Sequence, residues 1–263
     1  KYCYNILVSG LDDDNGGSDT NILVRFDVPN KRIDLVSLPR DTLLHNEYRN
    51  NKLNFAYAKG GTELLMEQIE NLLGIPVDFY VTVNLKGFIA LVDQIDGVDF
   101  DIPINMDYDD PYQDLHIHFT KGPRHLNGQE AMEVVRFRHN NDGTGYGTED
   151  IGRIGTQQAF LKAVAKQLLQ IGNVKNIPAL GDIFYTYVKT DLTTGNLVWL
   201  GNEALNIGTE NIHFATLPGD GSGYYNKQSV YVLDAQATCD LVNEALNPYN
   251  EALTLEDMDI LVP

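Results

Sequence analysis

Four side chains suited to phosphate binding lie within one short stretch of this chain. Arg136 and Arg138 are two residues apart, which in an extended segment places both on one face with Phe137 on the other. Arg153 and Gln157 are four apart, which on a helix stacks them one turn above the other. A guanidinium donates two parallel hydrogen bonds to phosphate and keeps its charge near neutral pH. Because crowded guanidiniums repel each other, the pattern predicts that they bind a multiply charged anion, a phosphate or pyrophosphate.

Acidic neighbours offer a second explanation for the same arginines. Asp142, Glu149 and Asp150 can neutralise them in an ion-pair network, or Asp150 can complement the dipole of a helix that starts beside it. The binding interpretation is favoured because glycines let the backbone approach a ligand closely, and they occur at positions 143, 145, 147 and 152.

Two further motifs carry charged groups to the ends of predicted strands. The acidic loop between Gly10 and Thr20 contains Asp12 and Asp19, and Arg40 follows the strand IDLVSL in the motif SLPRDT. Ligands gather outside strand ends in open α/β sheets, so Arg40 is expected to reach the same edge as Asp19. Carboxylates there can hold magnesium, which completes its shell with water and phosphate oxygens. The alternatives are a solvated turn for the aspartates and, for Arg40, a local ion pair worth under about 1 kcal/mol.

The histidines and cysteines of the sequence leave their roles open. The six histidines are scattered, and none has HxxxH spacing. His116 and His118 share a face, which a surface strand explains as well as a metal does. Cys3 and Cys239 are the only thiols, too few for a disulfide framework or a zinc site. One bridge and two free cysteines both remain open.

Composition limits the class of protein. A chain of 263 residues, 43% hydrophobic, has enough apolar side chains for a large core, and we expect a single domain over residues 1–263. The net charge of −18 argues against nucleic acid and against electrostatic docking on an anionic membrane. There is no apolar run long enough to span a bilayer. The chain starts at Lys1 and enters a strand almost at once, so we expect an ectodomain from which a preceding segment was removed.

Periodicity predicts alternating strands and helices. Strands are expected at residues 5–9, 20–28 and 32–38 and over DFYVTVN, VDFDI and NIHFATLPG; helices are expected from Thr62 to Gly74, over LKGFIALVDQI, after Asn127, over residues 151–171, and near residues 194–206 and 234–246. The stretch from Pro103 to Gly122 is polar and aromatic and is interpreted as a loop. This order predicts an α/β fold, an α/β/α sandwich with a central mixed sheet.

Seven motifs follow one another without interruption from about residue 4 to about residue 170. They are GLD, SDTNILV, VSLPRDT, KLNFAYAKGG, GIPVDFYVTVNLKGFIALVDQIDGVDFDIP, LNGQEAMEVVRFRH and DIGRIGTQQ. In this succession the chain resembles the LytR-CpsA-Psr family. Members are bacterial envelope proteins, usually anchored by an N-terminal membrane helix. They move a glycopolymer from a polyprenyl-pyrophosphate carrier onto peptidoglycan or another wall acceptor.

The resemblance implies roles for individual residues. Magnesium, or manganese in its place, would be held by Asp12 and Asp19. The residues that would bind the pyrophosphate and headgroup are Arg40, Arg136, Arg138, Arg153 and Gln157. The catalytic group would comprise Arg40, Arg153 and Asp150, with Asp150 orienting Arg153 or managing protons. An apolar groove between sheet and helices would hold the polyprenyl tail.

The chain departs from the family pattern in three places. Gly17 stands where many members have arginine, Thr156 replaces the second arginine of GRxxRQQ, and the insertion NNDGTGYGTE follows Arg138. These departures predict altered substrate choice or lower activity. Two alternative functions use the same site: a polyprenyl-pyrophosphate phosphatase, with water as the nucleophile, and a non-catalytic lipid-glycan binding module. All three functions require that Arg40, Arg136 and Arg153 converge on one diphosphate.

Overall fold

The computed structural model describes residues 2–11, 16–112, 114–146, 149–170 and 186–262. Within that range, the side chains of residues 149–151, 153 and 168–170 are not described. The chain divides into two compact units, the first formed by residues 1–84 and 188–263 and the second by residues 85–187. The interpretation of residues 1–263 as a single domain stays a prediction.

Runs of strands are interspersed with helices along the chain. The strands are β1 (Cys3–Leu11), β2 (Ser18–Asp27), β3 (Arg32–Leu38), β4 (Phe79–Asn84), β5 (Val98–Ile102), β6 (Met106–Asp110), β7 (Leu115–Phe119), β8 (Gly122–Leu126), β9 (Val188–Thr190), β10 (Ile212–Thr216), β11 (Gly219–Tyr225) and β12 (Gln228–Leu233). The helices are α1 (Leu53–Leu73), α2 (Leu85–Gln94), α3 (Gly128–Arg136), α4 (Glu149–Gln170), α5 (Thr194–Ile207) and α6 (Ala235–Ala245). Among the described residues, no helix is both long enough and apolar enough to cross a membrane.

The first unit contains a six-stranded mixed sheet in the order β10-β3-β2-β1-β4-β9. Strand β2 runs antiparallel to both β1 and β3, whereas β4 is parallel to β1 and β10 is parallel to β3. Leu7, Leu23 and Val36 lie on one face and are fully buried in a core with residues of α1 and α6. On the other face, Tyr4 contacts Trp199 of α5, with ring centroids 5.9 Å apart. The predicted α/β fold with a central mixed sheet is therefore confirmed.

Helix α1 begins earlier than the sequence predicted. The expected start at Thr62 is wrong, because the helix begins at Leu53 and is interrupted at Gly60 and Gly61. The backbone angles of the two glycines are not helical, with φ of −142° at Gly60 and +66° at Gly61. The sequence pattern after them therefore resembles that of a separate helix. The predicted end is confirmed. Gly74 has φ of +66°, and a Cβ there would lie 2.3 Å from the backbone oxygen of Asp257.

The second unit contains a strand pair where the sequence suggested a loop. The loop interpretation of Pro103 to Gly122 is wrong, because β6 and β7 pair antiparallel within it. These strands alternate between buried and exposed residues, with Ile117 and Phe119 among the buried ones. Their outward positions carry aspartate and histidine, and the aspartates disfavour strand in a local assessment.

Helices α3 and α4 frame the core of the second unit. The helix expected after Asn127 is present and begins with a capping box: Glu130 N donates to Asn127 Oδ1 at 3.0 Å, and Asn127 N donates to Glu130 Oε2 at 3.1 Å. Phe160 of α4 is buried against Phe88 of α2 and Phe100 of β5, with ring centroids 5.7 and 5.6 Å away. These aromatic contacts fix the middle of α4.

The remaining part of the first unit contains both confirmed and unpredicted elements. The helices expected near residues 194–206 and 234–246 are present as α5 and α6, and the expected strand is β10. The hairpin of β11 and β12 was not predicted. Glycine is disfavoured in strands, so the glycines of β11 hide the strand pattern in the sequence. Gly219 and Gly223 are needed because a Cβ at either position would meet the backbone of β12.

Candidate functional site

The ends of several strands bring charged residues to one edge of the sheet in the first unit. Leu11 at the end of β1 pairs with Ser18 at the start of β2, and Leu38 at the end of β3 pairs with Asn21. Asp19 and Arg40 are therefore carried to the same edge. Arg40 Nη1 forms an ion pair with Asp19 Oδ1, so the expected proximity is confirmed.

Backbone hydrogen bonds hold Arg40 in a fixed turn. Thr42 donates to the carbonyl of Pro39 through its backbone nitrogen at 3.0 Å and its hydroxyl at 2.7 Å. Asn54 N at the start of α1 donates to the carbonyl of Arg40 at 2.9 Å. The side chain remains accessible, with 26% of Arg40 and 33% of Asp19 exposed.

A second pair of opposite charges lies beside the first. Asp41 Oδ1 is 3.8 Å from Arg40 Nε and 3.2 Å from Lys52 Nζ. Sequence reasoning missed Lys52, although it lies in the quoted motif KLNFAYAKGG. Two cations and two carboxylates thus alternate at this edge. An anionic ligand that binds Arg40 has to compete with Asp19.

The same edge has the oxygen donors that a divalent cation needs. Asp12 lies outside the described residues, and Asp19 supplies a partly exposed carboxylate. The hydroxyl of Ser18 is buried and has no hydrogen-bond partner among the described residues. A partly exposed carboxylate suits magnesium, which takes hard oxygen ligands and usually one or two carboxylates.

The arginine pair of the second unit lies at the end of α3. The expectation that both arginines belong to one extended segment is wrong, because Arg136 is the last helical residue and the chain becomes extended only at Phe137. Phe137 is buried, and Arg138 is exposed. At the C-terminus of a helix, the charge of Arg136 is stabilised by the helix dipole.

Gln157 connects α4 to the last turn of α3 through a hydrogen bond. Its Nε2 donates to the carbonyl of Val135 at 3.2 Å. This carbonyl is one of the last four in α3, which lack partners within the helix. Gln157 therefore positions the helix end that carries Arg136, and its predicted contact with pyrophosphate stays a prediction.

The insertion after Arg138 places Tyr146 over the start of α4. Thr156 is only 5% exposed, and its hydroxyl lies 3.0 Å from Tyr146 Oη and 3.1 Å from the carbonyl of Gly152. A Cβ at Gly152 would lie 2.3 Å from Tyr146 Cβ, so this close approach requires glycine. The Tyr146 ring also meets Phe137 edge-on, with centroids 5.7 Å apart, and burial raises the pKa of Tyr146. Sequence reasoning missed Tyr146, because nothing local marks the contact.

The proposed neutralising network is not formed by Asp142. Its carboxylate accepts hydrogen bonds from the hydroxyl of Thr144 at 2.6 Å and the backbone nitrogen of Thr144 at 2.9 Å, and these bonds lower the pKa of Asp142. In the described part of the chain, no carboxylate forms an ion pair with Arg138. The side chains of Asp150 and Arg153 lie outside the described residues.

The predicted site residues belong to both units. Asp19 and Arg40 lie in the first, and Arg136, Arg138 and Gln157 lie in the second. The expectation that arginines from both units bind one diphosphate stays a prediction. Cys3 and Cys239 do not form a disulfide bond, so the disulfide alternative is wrong.

Comparison with known proteins decides the family. A family model, described as LytR_cpsA_psr family, matches residues 1–247. The chain belongs to the LytR-CpsA-Psr family. The resemblance carried by the seven sequence motifs is thereby confirmed, and it extends well beyond residue 170.

Several members of the LytR-CpsA-Psr family are similar to this chain. The polyisoprenyl-teichoic acid–peptidoglycan teichoic acid transferase TagV of Bacillus subtilis is 32% identical over 251 residues, which cover 90% of this chain and 62% of TagV. The transferase of the same description named TagU, from Bacillus cereus, is 32% identical over 244 residues, covering 91% of this chain and 76% of TagU. The chain thus spans just under two thirds of the length of TagV. The crystal structure of Bacillus subtilis TagV matches with a TM-score of 0.78 and 28% identity, covering 100% of this chain and 99% of that one.

Two departures from the family pattern have a clear structural setting. At Gly17 a Cβ would meet only the carbonyl of Asn54 at 3.5 Å, an ordinary contact, so the backbone there accepts a side chain. Thr156 is different, because Tyr146 fills the space beside it. The residue that stands in place of arginine at position 156 is therefore in contact with a residue of the insertion.

Proposed function

We propose that this chain transfers a glycopolymer from a polyprenyl-pyrophosphate carrier to peptidoglycan or another acceptor of the bacterial cell envelope. The observation that carries this proposal is the similarity to two transferases, each 32% identical over nine tenths of the chain, whose names specify polyisoprenyl-linked teichoic acid and peptidoglycan. Such acceptors lie outside the cytoplasm. The chain accordingly acts as an extracytoplasmic domain held at the membrane by an N-terminal anchor.

The pyrophosphate of the carrier is bound by guanidiniums. Arg136 and Arg138 support this role because they lie at and just beyond the end of α3, and Arg138 is exposed. The family motifs assign Arg40, Arg153 and Gln157 to the same role. The assignment of these five residues to one pyrophosphate rests on the family motifs. The polyprenyl tail occupies an apolar groove between sheet and helices.

Asp12 and Asp19 would hold magnesium, with manganese as a substitute, and the cation would supply positive charge to the phosphate oxygens. Asp19 supports this role with a carboxylate that is 33% exposed. The same carboxylate forms an ion pair with Arg40, so its use as a metal ligand would make N–H groups of Arg40 available to the substrate.

The reaction is a phosphoryl transfer. An acceptor hydroxyl attacks the phosphorus on the glycan side, a new oxygen–phosphorus bond forms, and the bond to polyprenyl phosphate breaks. Charge spreads over the phosphoryl oxygens in the transition state, where Arg40 and Arg153 stabilise it. Asp150 orients Arg153 or receives the hydroxyl proton.

A non-catalytic role in binding lipid-linked glycan is the second candidate. It is favoured by Thr156, which is buried beneath Tyr146 where the family pattern has an arginine. A binding module keeps the affinity for polyprenyl pyrophosphate and loses turnover. The phosphatase alternative differs again, because it releases polyprenyl phosphate without a sugar acceptor.

A transfer assay with the purified chain separates these functions. The chain is given a polyprenyl-pyrophosphate-linked glycan and magnesium, with and without peptidoglycan, and release of polyprenyl phosphate is measured. Acceptor-dependent release supports the transferase. Release without acceptor selects the phosphatase, and tight binding without release selects the binding module.

Arg153→Ala tests the site itself. Removal of one donor to a developing negative charge costs about 100-fold to 1000-fold in rate. The matched control is Arg124→Ala, which removes another arginine of the second unit, one that is half exposed and paired with Glu130 at 2.7 Å. The control should keep full activity. Equal rates for Arg153→Ala and the unaltered chain would refute the role of Arg153.

A further inference from the structure

The outward face of the β6–β7 pair carries two histidines and two aspartates opposite each other. Asp107 pairs with His118, and Asp109 pairs with His116, in the antiparallel register. Residues two apart on a strand point to the same side, so all four side chains share one face. Both histidines are more than half exposed, at 55% for His116 and 54% for His118.

Three of these side chains are directed at one point. His116 Nδ1 contacts Asp109 Oδ1, and His118 Nε2 lies 3.3 Å from the same oxygen. One ligand atom from each of the three residues lies within 4.8 Å of the others. In a tetrahedral zinc site, ligand atoms about 2.0–2.2 Å from the ion are about 3.3 Å apart. Small rotations of these exposed rings are sufficient to reach that spacing.

The second nitrogen of each imidazole ring faces another carboxylate. His118 Nδ1 lies 2.8 Å from Asp107 Oδ1, and His116 Nε2 lies 3.6 Å from Asp114 Oδ1. Histidines that bind metals commonly donate their other N–H to a carboxylate, which fixes the tautomer and makes the ligating nitrogen more basic. In both pairs, Asp107 with His118 and Asp114 with His116, a carboxylate lies on one side of the ring and the other ring nitrogen is directed at Asp109. This arrangement is typical of a metal centre.

The edge of β6 that does not pair with β7 forms hydrogen bonds with the segment after Arg138. Asp107 N donates to Asn140 Oδ1 at 2.7 Å, and Asp109 N donates to Asn141 Oδ1 at 2.6 Å. Asn141 returns two bonds, from its backbone nitrogen to the carbonyl of Asp107 and from Nδ2 to the carbonyl of Asp109, both at 3.1 Å. The backbone that carries both aspartates is therefore fixed on each side. A fixed backbone lowers the cost of ordering ligands around an ion.

We propose that His116, His118 and Asp109 form a surface site for a divalent transition metal of the zinc type. Imidazole with one carboxylate is a donor set for zinc and its neighbours, whereas magnesium and calcium prefer oxygen ligands. Asp107 accepts a hydrogen bond from His118, and Asp114 lies at ion-pair distance from His116. Water fills the remaining coordination position. This site is separate in residues and chemistry from the magnesium proposed at Asp12 and Asp19.

Isothermal titration calorimetry of the chain with zinc chloride tests the proposal. An excess of magnesium is present, so that sites built of oxygen ligands are occupied. One equivalent of zinc should bind, and His116→Ala and His118→Ala should each weaken binding by at least tenfold. Asp107→Asn should weaken it by about 10-fold to 100-fold, as expected for loss of a hydrogen-bond partner to a ligand.

The matched control is His125→Ala. His125 also faces an aspartate across an antiparallel pair, lies 2.7 Å from Asp99, and is 54% exposed, but it opposes a single aspartate and belongs to the other strand pair. Zinc affinity should be unchanged in this variant. A loss equal to that of His118→Ala would show that zinc binds exposed histidines at random and would overturn the proposal.

Nuclear magnetic resonance of the unaltered chain gives a test that needs no variant. Long-range proton–nitrogen spectra resolve the two nitrogens of each imidazole. Zinc should shift His116 Nδ1 and His118 Nε2 strongly and leave the His125 ring in place. Absence of zinc binding in calorimetry, or equal shifts for all three rings, contradicts the site.

Discussion

The contact between Tyr146 and Thr156 supports a prediction that a double-mutant cycle can test. Thr156→Val removes the hydroxyl and keeps the shape of the side chain, so it creates no cavity. The carbonyl of Gly152 keeps its helical hydrogen bond from the backbone nitrogen of Thr156, because the two residues are four apart in α4. The group left without a partner is the hydroxyl of Tyr146, 3.0 Å away in the native protein.

The expected cost follows from that single unpaired group. Tyr146 is only partly buried, so the loss of the partner of its hydroxyl should destabilise the protein by about 1 kcal/mol, the low end of the range for buried groups. Tyr146→Phe should cost about 0.5–1.5 kcal/mol, because Thr156 can still donate to Gly152. In the double variant neither hydroxyl remains. Its loss of unfolding free energy should therefore be smaller than the sum of the single losses, by about 1 kcal/mol.

Unfolding in urea gives the four free energies. The only tryptophan, Trp199, lies in the first unit, so its fluorescence does not report on Tyr146. Amide exchange in α4 and circular dichroism are the suitable probes. The control cycle pairs Thr156→Val with Tyr231→Phe, whose hydroxyl donates to Leu217 at 2.9 Å in the other unit. Additive losses within about 0.5 kcal/mol for Thr156 and Tyr146 would refute the coupling.

Two further predictions concern stability. Phe160→Ala should lower the unfolding free energy by about 3–5 kcal/mol, because Phe160 is buried between two other rings. The control Tyr112→Ala, at a fully exposed position, should change it by less than about 0.5 kcal/mol. Equal effects of the two variants in urea unfolding would contradict the aromatic core. Burial favours a higher pKa for Asp27, but hydrogen bonds from Asn30 and Arg25 outweigh it and hold the pKa below its ordinary value of 3.8. A lowered native pKa gives stability that is fully present above pH 3.8 and is lost as the pH falls through the native pKa. Asp27→Asn should therefore lower the unfolding free energy less at low pH than at pH 6. A loss of unfolding free energy that is independent of pH would contradict this linkage.

Local sequence patterns predicted one half of the candidate site. The turn at Pro29-Asn30-Lys31 fixes the register of β2 and β3, and that register carries Asp19 and Arg40 to the same edge. Neither residue needs a distant contact to get there. The proximity was therefore predictable from strand alternation and one short turn.

The start of α1 was not predictable from its own residues. Gly60 and Gly61 break the helical pattern, so the segment before them lacks a clear signal. The helix starts at Leu53 because the backbone nitrogens of Leu53 and Asn54 donate to the carbonyls of Thr42 and Arg40. Those carbonyls belong to the turn at the edge of the sheet, and only the fold brings them there.

The sequence by itself determined the family, the mixed sheet, the capping box at Asn127 and the meeting of Asp19 with Arg40, because each depends on residue types and spacings within short segments. The tertiary structure decided the β6–β7 pair, since aspartate-rich strands form only where their other face is buried and their edge is bound by Asn141. It also decided that Tyr146 covers Thr156, since the chain must fold back before a side chain from the insertion can pack on α4. Contacts between distant segments outweigh local preference at both places.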